Sequence, residues 1–402
     1  MSEMYLTPER KNALDAEFQA VFARMPERYF SAPGRTEIGG NHTDHQRGRV
    51  LAAAVDLETV AAVAYSGTDT IRFYSKGYGL CEVKITETEP VEEEKNTTAA
   101  LIRGMTAAFA GAGCPLGGFD AYCESTVLPG SGLSSSAAFE VLVGTVLNAL
   151  FGESRFSARE IAQMGQRAEN VYFGKPCGLM DQMASAVGNL VSIDFREKDA
   201  PCVRQVEFDF ASCGYALCIV DSGGNHAELT NKYASITREM AMVSAWFGKT
   251  VLSEVSEEAF FADLPALRKS CGDRAVLRAM HFYGENRRVL QQTEALEQGD
   301  FEGFLNLVRQ SGRSSYMYLQ NVIPRGSAEQ QELALSLALC ERYLEGRGAC
   351  RVHGGGFSGT VQAFVPLDLL ERFVNGVEAV LGCGACHVLK IRSCGGVELK
   401  TV

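Results

Sequence analysis

Apolar positions along this chain recur with two different periods, and the period predicts which segments are helices and which are strands. Apolar residues three or four apart predict helices at residues 8–25, 97–111, 137–150, 157–172, 226–247, 257–269, 275–298, 301–311, 327–345 and 367–380. Short β-branched apolar runs predict strands at residues 70–74, 82–86, 117–124, 190–195, 215–221, 361–365 and 387–392, and paired strands between residues 49 and 65. Helices and strands are therefore expected throughout the chain.

A domain boundary is predicted where a short polar segment, Arg-Glu-Lys-Asp-Ala-Pro at residues 196–201, interrupts this pattern. We expect an N-terminal domain at residues 1–200 and a C-terminal domain at residues 201–402, because a chain of 402 residues has the length of two large domains. The helix predicted at residues 137–150 carries one charge, Glu140, and is expected to be buried.

The composition is that of an ordinary globular protein, with 46% hydrophobic and 22% charged residues. A net charge of -11 argues against a broad nucleic-acid-binding surface. No apolar run is long enough to cross a bilayer, and residues 1–28 do not have the pattern of a signal peptide. Since the thirteen cysteines are scattered and odd in number, we expect reduced thiols in a cytoplasmic protein that binds neither nucleic acid nor membranes.

The segment at residues 128–139, Leu-Pro-Gly-Ser-Gly-Leu-Ser-Ser-Ser-Ala-Ala-Phe, has the composition of a loop that leads into a buried helix. Free N–H groups at a helix N-terminus favour an anion, glycines allow its close approach, and a serine hydroxyl can reach a magnesium ion. We interpret the segment as a phosphate cradle for a nucleotide. In the alternative interpretation Ser134 is a plain N-cap. The loop lacks the lysine of a Walker A loop and the spacing of G-x-G-x-x-G.

A second polar loop is predicted at residues 32–45, where glycines and a proline surround Asn41, His42 and Asp44. These side chains supply both donors and acceptors, which suits a hydroxyl-rich substrate. Two alternatives stay open from the residues alone. One is a metal site formed by His42, Asp44 and His45, and the other is an Asx-type turn without a ligand.

Two carboxylates in the middle of the chain are candidates for chemistry. Glu169 lies late in a predicted helix, and Asp181 follows a turn that contains glycine and proline. If they converge, one would hold magnesium and the other would act as a base; each alone is interpretable as a surface charge. A strand, not a helix, follows the glycine-rich segment at residues 353–359, so we interpret that segment as a hairpin loop.

Together and in this order, these segments resemble the galactokinases of the GHMP small-molecule kinase superfamily. The sugar signature of that family reads Gly-Arg-Val-Asn-Leu-Ile-Gly-Glu-His-Thr-Asp-Tyr, and residues 34–45 read Gly-Arg-Thr-Glu-Ile-Gly-Gly-Asn-His-Thr-Asp-His. Residues 132–137 match the family's phosphate loop, Gly-Leu-Ser-Ser-Ser-Ala. Residues 176–182, Pro-Cys-Gly-Leu-Met-Asp-Gln, are nearly the family form of a third segment.

The resemblance implies an α+β, two-domain GHMP-kinase-like fold with the active site in the interdomain cleft. It implies transfer of the γ-phosphoryl group of ATP to the C1 hydroxyl of α-D-galactose, with ATP and Mg²⁺ as cofactors, and we expect a monomer. By position, Asp181 matches the catalytic aspartate and Arg35 its arginine partner. Because a nearby arginine lowers the pKa of a carboxyl group, Asp181 either removes the proton early or mainly orients the hydroxyl.

The resemblance also implies the remaining ligands. The residues expected to bind the sugar are Asn41, His42, Asp44, Gly178 and Tyr233. Those expected to bind the nucleotide are Gly130, Ser131, Gly132, Leu133, Ser134, Ser135 and Ser136. Those expected to bind magnesium are Glu169 and either Ser135 or Ser136.

The sugar signature departs from the family form at three polar positions. Asn41 replaces a glutamate that contacts the C6 hydroxyl of the sugar, Glu37 replaces an asparagine, and His45 replaces a tyrosine. A kinase for a related sugar is therefore one alternative, and a non-catalytic sugar- and ATP-binding regulator is another. The retained catalytic arginine and carboxylates argue against the regulator, because a sensor needs no base.

Overall fold

The computed structural model describes residues 4–127, 132–197, 200–224, 230–324, 328–329, 331–357 and 359–401. Within these residues the strands are β1 (Tyr5–Leu6), β2 (Arg28–Gly39), β3 (Arg49–Tyr65), β4 (Thr70–Ser75), β5 (Gly79–Lys84), β6 (Phe119–Ser125), β7 (Leu190–Asp194), β8 (Cys202–Val206), β9 (Tyr215–Asp221), β10 (Ala349–His353), β11 (Thr360–Pro366), β12 (Cys386–Leu389) and β13 (Val397–Thr401). The helices are α1 (Pro8–Phe22), α2 (Thr98–Gly111), α3 (Ser135–Phe151), α4 (Ala158–Arg167), α5 (Met180–Val187), α6 (Thr230–Trp246), α7 (Glu257–Ala262), α8 (Leu264–Cys271), α9 (Asp273–Glu297), α10 (Phe301–Ser314), α11 (Glu332–Leu344) and α12 (Leu370–Leu381).

The described strands form two sheets. The larger sheet has the order β1-β13-β2-β3-β6-β4-β5, with β7 paired to β3 and β8 paired to β7. The smaller sheet has the order β10-β11-β9-β12 and is antiparallel throughout. Helices combined with two separate sheets confirm the predicted α+β class and two-domain fold. The boundary near residue 200 stays a prediction, and β8 and β13, which follow it in the chain, belong to the larger sheet.

Residues 49–65 form one continuous strand, β3, so the prediction of paired strands there is wrong. The segment contains no glycine, proline or asparagine that would favour a reversal of the chain. One end of β3 pairs with β7, the other end pairs with β6, and β2 runs along most of its length. Because β3 is central and largely buried, its apolar residues do not alternate with polar ones.

β2 extends through much of the segment that the sequence predicts as a loop. Its pairing with β3 shifts register between Pro33 and Arg35 and again between Glu37 and Gly39. Such irregularities accommodate a proline, which has no N–H to donate, within a strand. Arg35 and Glu37 therefore stand on a strand held from both sides by β3 and β13.

Two apolar clusters hold this architecture together. Helices α2 to α5 pack on the larger sheet around buried side chains such as Phe30 and Leu142. A second cluster joins the two sheets and includes Leu51 from β3, Ile219 from β9 and Phe364 from β11. Burial of apolar surface stabilises the protein by roughly 25 cal/mol per Å². The shared cluster fixes the smaller sheet against the larger one.

Several other predicted elements are confirmed with changed bounds. The helix predicted at residues 157–172 is α4 followed by a π-helical turn, Ala168–Phe173. The helix predicted at residues 257–269 is divided into α7 and α8, because Pro265 starts a new helix. Antiparallel pairing of β10 with β11 confirms the predicted hairpin. Among the helices that the structure describes, none is long and apolar enough to span a membrane.

Candidate active site

Arg35 and Asp181, 146 residues apart in the chain, form a bidentate ion pair. β2 carries Arg35, and the first turn of α5 carries Asp181. Arg35 Nε donates to Asp181 Oδ1 at 2.8 Å and Nη2 donates to Oδ2 at 2.7 Å. Arg35 Nη1 also donates to the carbonyl oxygen of Gly132. The two parallel hydrogen bonds fix the plane of the carboxylate. The two residues predicted for catalysis therefore lie together.

The charge of Asp181 results from opposing effects on its pKa. Burial raises the pKa of Asp181, but the Arg35 guanidinium, hydrogen bonds from Arg35 and Ser134, and the Lys175 ammonium outweigh it and hold the pKa below its ordinary value. Asp181 is therefore ionised at neutral pH. An ionised carboxylate presents acceptor oxygens to a substrate hydroxyl group.

The serines at the start of α3 have different partners. Ser134 directly precedes the helix with φ +58°, and its Oγ donates to Asp181 Oδ2 at 2.7 Å. It makes no side-chain capping hydrogen bond, so the interpretation of Ser134 as a plain N-cap is wrong. Ser136 Oγ donates to Glu169 Oε1 at 3.0 Å. One loop therefore contacts both carboxylates that the sequence singled out.

The rest of the predicted phosphate loop is partly described. Gly130 and Ser131 lie outside the described residues. Gly132 has φ +73°, which favours glycine, and a Cβ there would lie 3.1 Å from the His353 side chain. Leu133 is buried, and its carbonyl oxygen accepts from the backbone N–H of Arg35 at 3.0 Å. The loop backbone is therefore anchored to β2.

Glu169 lies in the π-helical turn, and both of its oxygens have polar partners. Oε1 accepts from Ser136 and, at 3.2 Å, from Lys175 Nζ, while Oε2 accepts from Gln182 Nε2 at 2.8 Å. A carboxylate and a hydroxyl suit Mg²⁺, which takes few protein ligands when it also binds substrate phosphates.

No described group of three or more His, Cys, Asp or Glu residues could hold a metal ion, so the metal-site interpretation of residues 42–45 is wrong.

Glu140 and Gln182 belong to this region, although the sequence did not single them out as site residues. Gln182 Nε2 lies 2.9 Å from Glu140 Oε2 as well as 2.8 Å from Glu169 Oε2. Burial, and then the charge of Glu169, raise the pKa of Glu140 well above its ordinary value. The fold therefore favours the protonated form of Glu140. The sequence contained one signal for this role: Glu140 is a single acid in an apolar helix, and a buried acid needs a partner.

Gly178 and Asp44 lie in contact on the predicted sugar side of the site. A Cβ at position 178 would lie 2.0 Å from Asp44 Oδ2, so any larger residue would require the carboxylate or the loop to move. Burial raises the pKa of Asp44 to about 6, and the negative charges of Asp181 and Glu37 act in the same direction. Asp44 thus lies in the electrostatic environment of the Arg35–Asp181 pair.

The glycine turn between β10 and β11 contacts two further predicted sugar ligands. His42 Nε2 lies 3.1 Å from the carbonyl oxygen of Gly355, and Tyr233 donates to the carbonyl oxygen of Gly356 at 3.2 Å. A Cβ at Gly355 would lie 2.3 Å from the Tyr233 ring. Burial lowers the pKa of His42, which is therefore neutral at pH 7. A cavity of about 1240 Å³ is lined by residues that include His42, Asp44, Gly178 and Tyr233.

Asn41, the remaining predicted sugar ligand, is fully buried. Its amide donates to Glu37 Oε1 at 3.0 Å and to the carbonyl oxygen of Gly354 at 2.6 Å. Its Oδ1 accepts from Asn321 Nδ2 at 2.9 Å. Contact with a sugar hydroxyl would require one of these hydrogen bonds to be exchanged. The role of Asn41 as a sugar ligand stays a prediction.

Two family models match the chain. Residues 98–189 match the GHMP kinases N terminal domain, and residues 16–65 match the galactokinase galactose-binding signature. The first match contains the loop before α3 together with Glu169 and Asp181, and the second contains the polar segment with His42 and Asp44.

Similar proteins cover nearly the whole chain. A galactokinase of Streptomyces coelicolor (strain ATCC BAA-471 / A3(2) / M145) is 31% identical over 381 residues, 93% of this chain and 94% of that protein. A galactokinase of Glaesserella parasuis serovar 5 (strain SH0165) is 31% identical over 366 residues, 88% of this chain and 89% of that protein.

Solved structures show the same architecture. The crystal structure of Lactococcus lactis galactokinase complexed with galactose superposes with a TM-score of 0.82 at 27% identity, over 96% of this chain and 99% of that one. A mevalonate kinase superposes with a TM-score of 0.65 at 13% identity, over 91% of this chain and 100% of that one, which shows a shared fold alone. By its sequence relatives and its fold, the chain belongs to the galactokinase family of the GHMP kinases.

Proposed function

We propose that this chain transfers the γ-phosphoryl group of ATP to the C1 hydroxyl of α-D-galactose, which yields galactose 1-phosphate and ADP. The observation that carries the proposal is the Arg35–Asp181 ion pair, which Ser134 joins to the start of α3. In this arrangement an ionised carboxylate lies beside the loop that matches the family's phosphate loop. The galactokinase relatives and the galactose-bound solved structure support galactose as the substrate.

Asp181 orients the attacking hydroxyl and then accepts its proton. In a loose phosphoryl-transfer transition state the attacking oxygen needs little negative charge at the outset. A carboxylate of low pKa is therefore sufficient, because the hydroxyl proton becomes acidic as the new P–O bond forms. Arg35 keeps Asp181 ionised and offsets negative charge on the transferred group.

ATP binds at the start of α3, where backbone N–H groups of residues 132–136 donate hydrogen bonds to its phosphate oxygens. Glu169 and Ser136, which lie in hydrogen-bond contact, would hold Mg²⁺, and the ion would supply positive charge to offset that of the ATP phosphates. Gln182 fixes the second carboxylate oxygen of Glu169, as outer-shell partners of metal ligands commonly do. Lys175 supplies a positive charge at the same carboxylate.

The sugar is bound by groups on both sides of the cavity. Asp44 accepts hydrogen bonds from sugar hydroxyls. His42 and Tyr233, which contact the glycine turn between β10 and β11, add further polar groups. Gly178 leaves the space that the sugar and the Asp44 carboxylate need. We further expect a cytoplasmic monomer, which cell fractionation and size-exclusion chromatography test.

A coupled assay of ADP release across a panel of sugars tests the proposed function. We expect turnover with galactose, and we expect Asp181→Asn to lower kcat by roughly 10²-fold or more, the scale of a lost general base. The matched control Asp69→Asn, at an exposed position, should keep the wild-type kcat. Turnover with a different sugar alone would replace the galactose assignment. An unchanged kcat in Asp181→Asn would remove Asp181 from the mechanism.

A further inference from the structure

Two of the residues that differ from the family's sugar signature, at positions 37 and 41, are in direct contact. The family form has asparagine at position 37 and glutamate at position 41, and this chain has Glu37 and Asn41. Asn41 Nδ2 donates to Glu37 Oε1 at 3.0 Å, and both side chains are buried. The chain has therefore exchanged a carboxylate and an amide between two touching positions, which conserves the net charge of the pair.

Glu37 is held by a buried arginine of the smaller sheet. Arg351 lies on β10 and is fully buried. Its Nη2 donates to Glu37 Oε1 at 2.9 Å and to the carbonyl oxygen of Glu37 at 2.7 Å. A guanidinium buried without a carboxylate partner is strongly unfavourable, so Glu37 is the group that allows Arg351 to occupy this place.

The hydrogen bonds of Asn41 require an amide at that position. Its two amide hydrogens go to Glu37 and to the carbonyl oxygen of Gly354, and its oxygen accepts from Asn321. A carboxylate at position 41 would have no hydrogen to donate to either acceptor. It would also face the Glu37 carboxylate across a hydrogen-bond distance, where two buried negative charges repel each other.

This network lies directly behind two segments of the sugar site. Asn41 precedes His42 in the chain, and Gly354 precedes Gly355, whose carbonyl oxygen contacts His42 Nε2. Asn321 Nδ2 also lies 3.3 Å from the carbonyl oxygen of Gly355. Asn41 therefore ties the His42 segment of the larger sheet to the glycine turn of the smaller sheet.

We propose that Glu37 is a positioning residue of the sugar site: it supplies from β2 the buried carboxylate that the family signature places four residues later, and through Asn41 it fixes the His42 segment against the glycine turn. This inference rests on the proposed function. Positions 37 and 41 then act as one unit, in which a carboxylate at one position requires an amide at the other.

A double-mutant cycle tests the proposal with Glu37→Asn, Asn41→Glu and the double exchange. We expect each single variant to raise the KM for galactose by about tenfold, the effect of one lost charge-assisted hydrogen bond, with the KM for ATP unchanged. The double exchange restores the carboxylate–amide contact but not the hydrogen bond to the carbonyl oxygen of Gly354, so its galactose KM should rise clearly less than the product of the two single effects. Thermal unfolding of all four proteins is measured in parallel.

Asp120→Asn is the matched structural control. Asp120 lies on β6 and is fully buried, and its carboxylate forms ion pairs with Arg24 and Arg72. It pairs with Ala64 of β3, ten residues from the Ala54 that pairs with Arg35, and is thus roughly 30 Å away along the strand. Its substitution should lower Tm without changing the KM for galactose.

Several results would overturn the proposal. Single variants that lower Tm but keep the galactose KM, as the control does, would show a structural role alone. A double variant whose effect on KM equals the product of the two single effects would show that the positions are independent. If these single variants do not fold, Glu37→Gln keeps an acceptor oxygen for Asn41 but removes the charge that faces Arg351, and it should raise the galactose KM by about tenfold; a KM within threefold of wild type would contradict the role of the buried carboxylate. Turnover of the wild type with galactose tests the proposed function, so a failure of that function can be distinguished from a failure of this proposal.

Discussion

Ser134 Oγ donates a 2.7 Å hydrogen bond to Asp181 Oδ2, the same oxygen that Arg35 Nη2 binds at 2.7 Å. The start of α3 and the carboxylate proposed for catalysis are therefore joined directly. Two residues further along, Ser136 contacts Glu169 instead. Two serines at the start of α3 thus connect the region expected to bind phosphates to both acidic groups, Asp181, expected to receive a proton, and Glu169, expected to hold a metal.

Alanine substitutions of the three serines should separate these roles. Ser136→Ala should raise the Mg²⁺ concentration for half-maximal rate by roughly tenfold, because it removes a hydroxyl partner of Glu169. Ser134→Ala should lower kcat by roughly tenfold with the Mg²⁺ dependence unchanged, because it removes one of the two hydrogen bonds to Asp181 Oδ2. Rates measured against Mg²⁺ concentration and direct Mn²⁺ binding to the protein give the comparison. A shift of the metal dependence in Ser135→Ala and not in Ser136→Ala would reverse the assignment.

Gly178→Ala should impair galactose binding. The added Cβ would lie 2.0 Å from Asp44 Oδ2, so the loop or the carboxylate must move. Overpacking of this kind costs about 1–3 kcal/mol, which corresponds to roughly 5- to 100-fold in the KM for galactose. Gly111→Ala is the control, since a Cβ there meets no atom within 4 Å at the end of α2. A Gly178→Ala protein with the galactose KM of the control would show that Asp44 does not bind sugar in this geometry.

Asp44→Asn should stabilise the free protein while it weakens sugar binding. The pKa of Asp44 rises from its ordinary 3.8 to about 6 in the folded protein, so the folded state binds more protons than the unfolded state between these pH values. The free energy of unfolding of the wild type therefore falls as pH rises through that window. Above pH 6 the variant should be more stable by at most about 3 kcal/mol, and below pH 4 the difference should vanish. Denaturant unfolding at pH 4, 5, 6 and 7.5 measures the difference in the free energy of unfolding between the variant and the wild type. A difference that stays constant across this range would contradict the raised pKa of Asp44.

The same substitution defines the pH dependence of sugar binding. As pH falls below about 6, protonation of Asp44 removes acceptor capacity, so the wild-type KM for galactose should rise. In Asp44→Asn the KM should be high and independent of pH in the same range. A wild-type KM that stays flat from pH 7.5 to pH 5 would show that the charge of Asp44 plays no part in binding.

Glu140→Gln should keep the stability of the protein at neutral pH. Burial and the charge of Glu169 raise the pKa of Glu140, so the fold favours the neutral form that glutamine reproduces. Because the pKa is raised, the wild type loses stability as pH rises from about 4.5 to the folded pKa, and the uncharged glutamine avoids this loss. The Tm of the variant should therefore equal or exceed that of the wild type at pH 7.

Asp120→Asn provides the contrast for Glu140→Gln, since it removes a buried negative charge that two arginines share. It should lower the stability at pH 7 by roughly 1–3 kcal/mol, because both arginines lose a buried partner. Differential scanning calorimetry of both variants beside the wild type compares them. A large loss of Tm in Glu140→Gln would mean that Glu140 is ionised in the fold.

The local structure of this chain follows from its sequence. The helix predicted at residues 137–150 is α3, and the strand predicted at residues 215–221 is β9. Both succeed because apolar periodicity is a property of neighbouring residues. The composition of residues 128–139 and the resemblance of four segments also indicated the residues of the site before any distance was known.

The prediction of β2 as a loop failed for a physical reason. Pro33 and the nearby glycines disfavour a strand locally, and pairing with β3 overrides that preference. The continuous strand β3 has the same explanation, because its pairing with β2, β6 and β7 extends it through residues 49–65.

The sequence by itself determined most of the helices and strands, the family resemblance and the candidate residues, but it did not predict α5, which carries Asp181. Tertiary structure decided which of those residues touch. Arg35 meets Asp181 across 146 positions, and Glu37 meets Arg351 across 314. Neither pairing leaves a local pattern, because the energy of a buried ion pair depends on distance, desolvation and geometry in space. For the same reason, only the folded chain assigns Ser134 to one carboxylate and Ser136 to the other.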